Sequence, residues 1–185
     1  EALTVLMAGA ASSRSLRALQ QQELKKRLAY STISHLGLIT ALAGMDSGGA
    51  IVAAIFHIMN HAVFKASLFM AAGIIDHETG SRDMRRINGL WKYMPHTAVL
   101  AMVAASAMAG VPLLNGFLSK EMFFTETLHQ HLLGGFNWVI PAAATLAGVF
   151  SVAYSLRFIH DVFFNGEPID LPKYPPHEPP RYMKV

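Results

Sequence analysis

Cysteine is absent from the 185 residues. Its absence excludes disulfides, thiolate zinc sites and cysteine-held iron–sulfur clusters, and leaves any redox chemistry to another chain. Charge is missing over long stretches. From Leu28 to Ile75 the only formally charged residues are Asp46 and Lys65, and from Tyr93 to Ser119 there is none. Runs of that kind can cross a hydrocarbon core of about 30 Å, which takes roughly 20 helical residues. The signatures of soluble enzymes are missing too: there is no P-loop, no G-x-G-x-x-G, no H-E-x-x-H and no G-x-S-x-G. Nor does the chain open on Met, or on a basic stretch followed by a short apolar core. Glu1 therefore reads as a position inside a longer protein.

What is present is apolar and unevenly charged. Hydrophobic residues make up 52% of the chain, and the mean hydropathy is +0.34, high for a soluble domain and diluted by polar ends. A net charge of +3 could suit nucleic acid, but Lys and Arg concentrate at 14–27 and 82–92, between apolar runs. That placement expects membrane topology, with no nucleic acid among the partners. The reading is an all-α, multi-pass helical bundle with spans at about 1–20 (partial), 28–43, 50–75, 95–128 and 138–164.

The run 95–128 is too long for one straight span. Gly110-Val111-Pro112 and Asn115-Gly116 interrupt its middle, so it reads as one discontinuous helix made of two halves. The glycine-rich turn Asp46-Ser47-Gly48-Gly49 separates the second and third spans. After Phe164, six of the nine prolines fall in 165–185, expected to be an extended cytoplasmic linker beyond a membrane region at 1–164. Counting the broken run as one crossing puts both basic clusters and this tail on the cytoplasmic side.

Within the third span, His57, His61 and Lys65 stand at i, i+4 and i+8, on one helical stripe about 12 Å long, with Asn60 beside them. A lysine at mid-span costs about 2.5–3.5 kcal/mol on insertion scales, so the stripe should face a bundle interior or a hydrated cavity. One reading is a proton path, since imidazole accepts on one nitrogen and donates from the other. A second is polar glue between helices. A third, a histidine pair holding zinc, lacks a carboxylate at ligand spacing and has an opposing ammonium. No metal or cofactor is expected.

Lys120, next to Glu121, follows the break, where transporters tend to form ion sites. The alternative is the wetted end of a helix. His35 reads as a lone packing residue and Lys25, Lys26 and Arg27 as interfacial anchors. His77, His96, His129, His131 and His177 fall in loops or at ends, with no role assigned. The methionines read as filler.

Several phrases resemble a known family, the antiporter-like membrane subunits of Mrp-type Na+/H+ antiporters and of respiratory complex I. They are KKRLAYSTISHLG (Lys25–Gly37), IFHIMNHAVFKASLFMAAG (Ile55–Gly73) and AGVPLLNGFLSKEMFF (Ala109–Phe124). The loop DHETGSRDMRRINGL (Asp76–Leu90), the ending AYSLRFIHDVFF (Ala153–Phe164) and the closing HEPPRYMKV resemble the A-type branch of the Mrp subunits. The resemblance covers essentially the whole chain and roughly the second of the family's two five-helix repeats.

By that resemblance, His57, His61 and Lys65 map onto the central proton relay, Lys120 onto the lysine of the terminal half-channel, and Lys25 onto the basic residue before LAYS. It implies one component of a transporter rather than an enzyme, relaying protons coupled to Na+ efflux. Its setting would be a bacterial inner membrane, with other antiporter subunits, the lipid bilayer, H+ and Na+ as partners. A proton-translocating subunit of NADH:quinone oxidoreductase is the alternative within the superfamily, and a non-conducting membrane scaffold the alternative outside it. Arg27 and His35 depart from the family, which usually has an apolar residue and a glutamine there.

Overall fold

The computed structural model describes residues 2–45, 47–129 and 138–180. Glu1, Asp46 of the glycine-rich turn, His131 and the closing 181–185 lie outside the described residues. Among the described residues six helices follow in order: α1 (Ala2–Gln20), α2 (Leu24–Ala43), α3 (Gly48–Thr79), α4 (Pro95–Ala109), α5 (Asn115–Leu128) and α6 (Val139–Ile159). A 3-10 turn at Leu90–Lys92 precedes α4, and α6 runs on into a π-helical turn at His160–Phe164. Among the described residues the only extended pairing is an isolated antiparallel bridge between Glu23 and Asp83.

Local chemistry sets the helix ends. Ser47 caps α3, its Oγ accepting from Ala50 N at 3.0 Å, and Gly80 closes the helix at φ 70°. With 32 residues, α3 is about 48 Å long and overshoots the hydrocarbon at its end. α3, and α6 together with its π-helical continuation, have the length and apolar character of membrane spans, at mean hydropathies of 1.5 and 1.7. α4 has 15 residues and α5 has 14, each too short alone. They are the two halves of the interrupted run, separated by Gly110–Leu114, where Gly110 takes φ 87° and Leu113 takes φ 75°.

The packing is inside out relative to a soluble bundle. On α3 the outward positions are apolar, with Val52, Ile55, Met59 and Val63 each more than half exposed, while Lys65 is 5% exposed. Such a surface wants hydrocarbon around it. Two apolar clusters fill the interior. One gathers Leu24, Leu28, Phe64, Leu68, Ile75, Ile87 and Phe158. The other gathers Leu38, Leu42, Ala50, Ala53, Phe123 and Ala144. Between them, at mid-height, α2 contributes Ser31, Ser34 and His35, and α3 contributes His57, Asn60, His61 and Lys65. A polar layer therefore crosses the bundle between two dry ones.

Both basic segments meet at one end. Leu24 N donates to Arg82 O at 2.9 Å and Met84 N to Gln22 O at 2.9 Å, tying the loop after α3 to the α1–α2 turn. In that loop Arg85 Nη2 lies 2.7 Å from Asp83 Oδ2, and the guanidinium pulls the Asp83 carboxyl down to about 2. Arg27 is not an interfacial anchor. It is 1% exposed, and its Nη2 turns back to Gln21 O at 2.6 Å. One residue adds 100° of rotation, so Lys25 and Lys26 face out where Arg27 faces in.

The proline-rich tail is extended, yet it lies along the same end of the bundle. Ile169 N donates to Arg86 O at 3.0 Å and Lys173 N to Thr79 O at 3.2 Å. Tyr174 and Tyr93 share a hydroxyl contact of 3.1 Å.

Candidate functional site

The buried polar layer is a line of hydrogen-bonding side chains drawn from four helices. His57, on α3, places Nδ1 3.0 Å from Ser119 Oγ on α5. Its Nε2 lies 3.1 Å from His35 Nδ1 on α2. The other nitrogen of His35 meets Tyr154 OH on α6 at 3.2 Å. One turn earlier on α6, Ser151 Oγ accepts from Tyr154 OH at 3.1 Å and from Lys120 Nζ at 3.1 Å. Every gap from Ser119 to Lys120 is a hydrogen-bond distance.

The ends of the line rest on the helix break. Lys120 Nζ donates to Ala109 O at 2.9 Å, and Ser151 O–H donates to Met108 O at 3.2 Å. These are carbonyls that α4 leaves without a helical donor as it ends. On the α5 side, Ser119 O–H has Gly116 O at 3.2 Å, and Asn60 Nδ2 donates to Asn115 O at 3.2 Å. Glycine is required at two points here. A Cβ on Gly110 would lie 2.8 Å from Lys120 Cδ, and a Cβ on Gly116 would overlap the Ala107 carbonyl.

The opposite arm belongs to α2 and α3. Lys65 Nζ donates to Leu28 O at 3.3 Å and sits close against Ser31 Oγ. His61 lies one turn from Lys65, its ring centroid 5.3 Å from that of His35. His61 Nε2 is buried with no hydrogen-bond partner among the described residues. The ring spans the interval between Lys65 and the other imidazoles, and no direct bond closes it.

Of the residues that the sequence points to, His57, His61, Lys65 and Lys120 converge on this layer. Lys25 does not. Its Nζ pairs with Asp76 Oδ2 at 2.7 Å at the loop end, where its side chain is 35% exposed. Lys120 is no wetted helix end, since its ammonium is held by Ala109 and Ser151. His35 is not alone: it is the junction of the line, 1% exposed and bonded through both nitrogens. Tyr154, Ser151, Ser119 and Ser31 escape sequence reasoning, because their roles depend on the register between helices. The faint signal is a small hydroxyl residue one turn before a tyrosine on an apolar span. No group of three or more metal-ligating side chains occurs among the described residues.

A family described as "NADH:quinone oxidoreductase/Mrp antiporter, TM" matches residues 2–150. A probable K(+)/H(+) antiporter subunit of the A/B type, from Rhizobium meliloti (strain 1021), is 64% identical over 183 residues, 99% of this chain and 18% of that protein. The A-type Na(+)/H(+) antiporter subunit of Bacillus subtilis (strain 168) is 43% identical over 188 residues, 92% of this chain and 23% of that one. The chain thus spans about a fifth of the length of the curated relatives it matches.

Among solved structures, the Mrp complex from Dietzia sp. DQ12-45-1b matches with a TM-score of 0.74 at 44% identity, over 83% of this chain and 17% of that one. An archaeal respiratory membrane complex, the membrane-bound sulfane sulfur reductase, matches with a TM-score of 0.83 at 30% identity, over 100% of this chain and 36% of that one.

Proposed function

Because the chain belongs to the NADH:quinone oxidoreductase/Mrp antiporter transmembrane family, we propose that it is the proton-relaying part of a bacterial antiporter subunit, exchanging H+ against an alkali cation across the cell membrane. It works as a transporter segment and not as an enzyme. Other subunits of a multisubunit complex complete it. Relatives are named for Na+ in Bacillus and for K+ in Rhizobium meliloti, so the exchanged ion is Na+ or K+.

One observation carries the reading: the unbroken line Ser119, His57, His35, Tyr154, Ser151, Lys120 inside a bundle whose outer face is apolar. The line is competent in both directions. In one polarisation Ser119 donates to His57, His57 to His35, His35 to Tyr154, Tyr154 to Ser151, and Ser151 to Met108 O. In the other every donor reverses, and the Ser119 hydroxyl ends on Gly116 O.

From the second state, the Lys120 ammonium gives a proton to Ser151 Oγ. Ser151 passes its own proton to Tyr154, and Tyr154 passes its proton to His35 Nε2. A neutral amine is left at Lys120 and an imidazolium on the His35–His57 pair. His61 then lies between that pair and the Lys65 amine, which receives the charge at the far arm.

The test uses the full-length protein in its complex, in membrane vesicles, with Na+- and K+-dependent pH changes as readout. Lys65→Ala and Lys120→Ala should assemble and lose exchange. Unchanged exchange in both would leave a membrane scaffold without conduction.

A further inference from the structure

α4 starts badly by its own sequence. The residues around its first turn are Tyr93-Met94-Pro95-His96-Thr97. Met94 in the N-cap position offers no side-chain acceptor. Proline at the first helical position has no N–H to satisfy, but His96 and Thr97 do. Their acceptor comes from more than eighty residues away. Glu178 Oε1 takes His96 N at 2.7 Å and Thr97 N at 3.3 Å. Its Oε2 takes the Thr97 hydroxyl at 3.3 Å. A carboxylate on the positive end of a helix is also favoured by the helix dipole. The His96 imidazole adds to the contact, with Nδ1 3.7 Å from Oε1.

The delivery of Glu178 is built into the tail. Pro176 and Pro179, on either side of it, are buried, and Glu178 itself is half-buried. Lys173 Nζ donates to His77 O at 2.7 Å, and His177 Nε2 lies 3.3 Å from the buried carboxylate of Glu78. Proline restricts the free tail to extended conformations, so the strap loses little freedom when it docks.

The other end of α4 supplies the carbonyls that hold Lys120 and Ser151, Ala109 O and Met108 O. α4 is a rod of 15 residues, about 22 Å long. A tilt or slide at its first turn is therefore carried to the carbonyls at its last.

We propose that Glu178 is a positioning residue for the relay. It clamps the first turn of α4, and through that rigid helix it keeps the Ala109 carbonyl against the Lys120 ammonium. The tail is then a strap on the transport machinery rather than a spacer leading away from it. This rests on the relay reading given above.

The experiment compares Glu178→Ala, Glu178→Gln and Lys120→Ala in the full-length protein within its complex, reconstituted in vesicles. Cation-driven proton exchange is followed across pH, and amide hydrogen exchange is followed over 94–100. Glu178→Ala should slow exchange at least threefold and displace its pH profile, with faster amide exchange at His96 and Thr97. Glu178→Gln keeps an oxygen acceptor for those N–H groups and should restore most of the rate. If Glu178→Ala matches the wild type in rate and pH profile beside an inactive Lys120→Ala, the proposal is overturned and the relay stands. If Lys120→Ala itself exchanges like the wild type, the relay fails and the proposal goes with it.

Discussion

Replacing Tyr154 by Phe removes one oxygen from the middle of the line and leaves the ring, so it isolates the hydroxyl. Tyr154 is 1% exposed, and its neighbours cannot reach water to compensate. The hydroxyl sits 3.2 Å from His35 Nε2 and 3.1 Å from Ser151 Oγ. Without it those two atoms have no common partner, and a proton cannot hop directly over a gap of roughly two hydrogen-bond lengths.

A water could restore the link only if it fits. The cavity beside Tyr154, lined by His35, Lys120, Ser151 and Phe124, holds about 10 Å³, the lower limit for one water. Fixing a water there costs up to about 2 kcal/mol, and tenfold in rate corresponds to about 1.4 kcal/mol. Tyr154→Phe is therefore expected to slow cation-driven proton exchange about tenfold in vesicles, at unchanged assembly. A variant within twofold of the wild type would show that protons do not pass through this hydroxyl.

Three further outcomes follow from the geometry. Gly110→Ala places a Cβ at φ 87° and 2.8 Å from Lys120 Cδ. It should cost about 1–2 kcal/mol of backbone strain and reduce exchange, read as a lower melting temperature of the detergent-extracted complex together with slower transport. Arg27→Leu removes a buried guanidinium whose Nη1 has no hydrogen-bond partner among the described residues and lies 3.9 Å from Asp161 Oδ2. Asp161 keeps Arg157 at 3.0 Å, so thermal stability should change by less than about 1 kcal/mol or rise. The loop after α3 should be insensitive to pH between about 5 and 8, because Asp83 is held at about 2 in the folded state, below the ordinary value of about 4. Its contribution is then fully present above that ordinary value and is lost as pH falls from about 4 through 2. Proteolysis at 81–86 as a function of pH measures this, and an increase already at pH 6 would contradict it.

The helices were legible because lipid leaves its mark on composition: long uncharged runs, basic ends, and glycine with proline where a span breaks. The α3 stripe was legible because its members share one helix and the period of 3.6 is local. His35 was not, for it stands alone on α2, and its partners His57 and Tyr154 come from α3 and α6. Serine and tyrosine on apolar spans are common, and only the register among α2, α5 and α6 turns Ser119, Ser151 and Tyr154 into links. Arg27 was hidden in a run of three basic residues, where composition does not tell which one points inward. The tail reads as a linker by composition because its partners, Arg86, Thr79 and the first turn of α4, lie about eighty to a hundred residues upstream.

A bundle surrounded by hydrocarbon has two expensive features here, and they offset each other. Breaking a helix strips carbonyls of their donors at a depth where no water waits, and burying a lysine strips an ammonium of its solvation. In this chain the freed carbonyls and the buried donors are the same contacts. Ser106 O and Ala107 O are taken by the cap at Gly110 and Val111. Met108 O is taken by Ser151 and Ala109 O by Lys120.

An unbroken helix would leave the Lys120 ammonium without its carbonyl, and a broken helix without Lys120 would leave Ala109 O orphaned. Each lowers the cost of the other. An apolar replacement of Lys120 is therefore not the harmless exchange that it is for Arg27, whose donors serve a turn carbonyl. The break and the lysine form one device, and the hydrogen-bonded line is anchored where the end of α4 has carbonyls to spare.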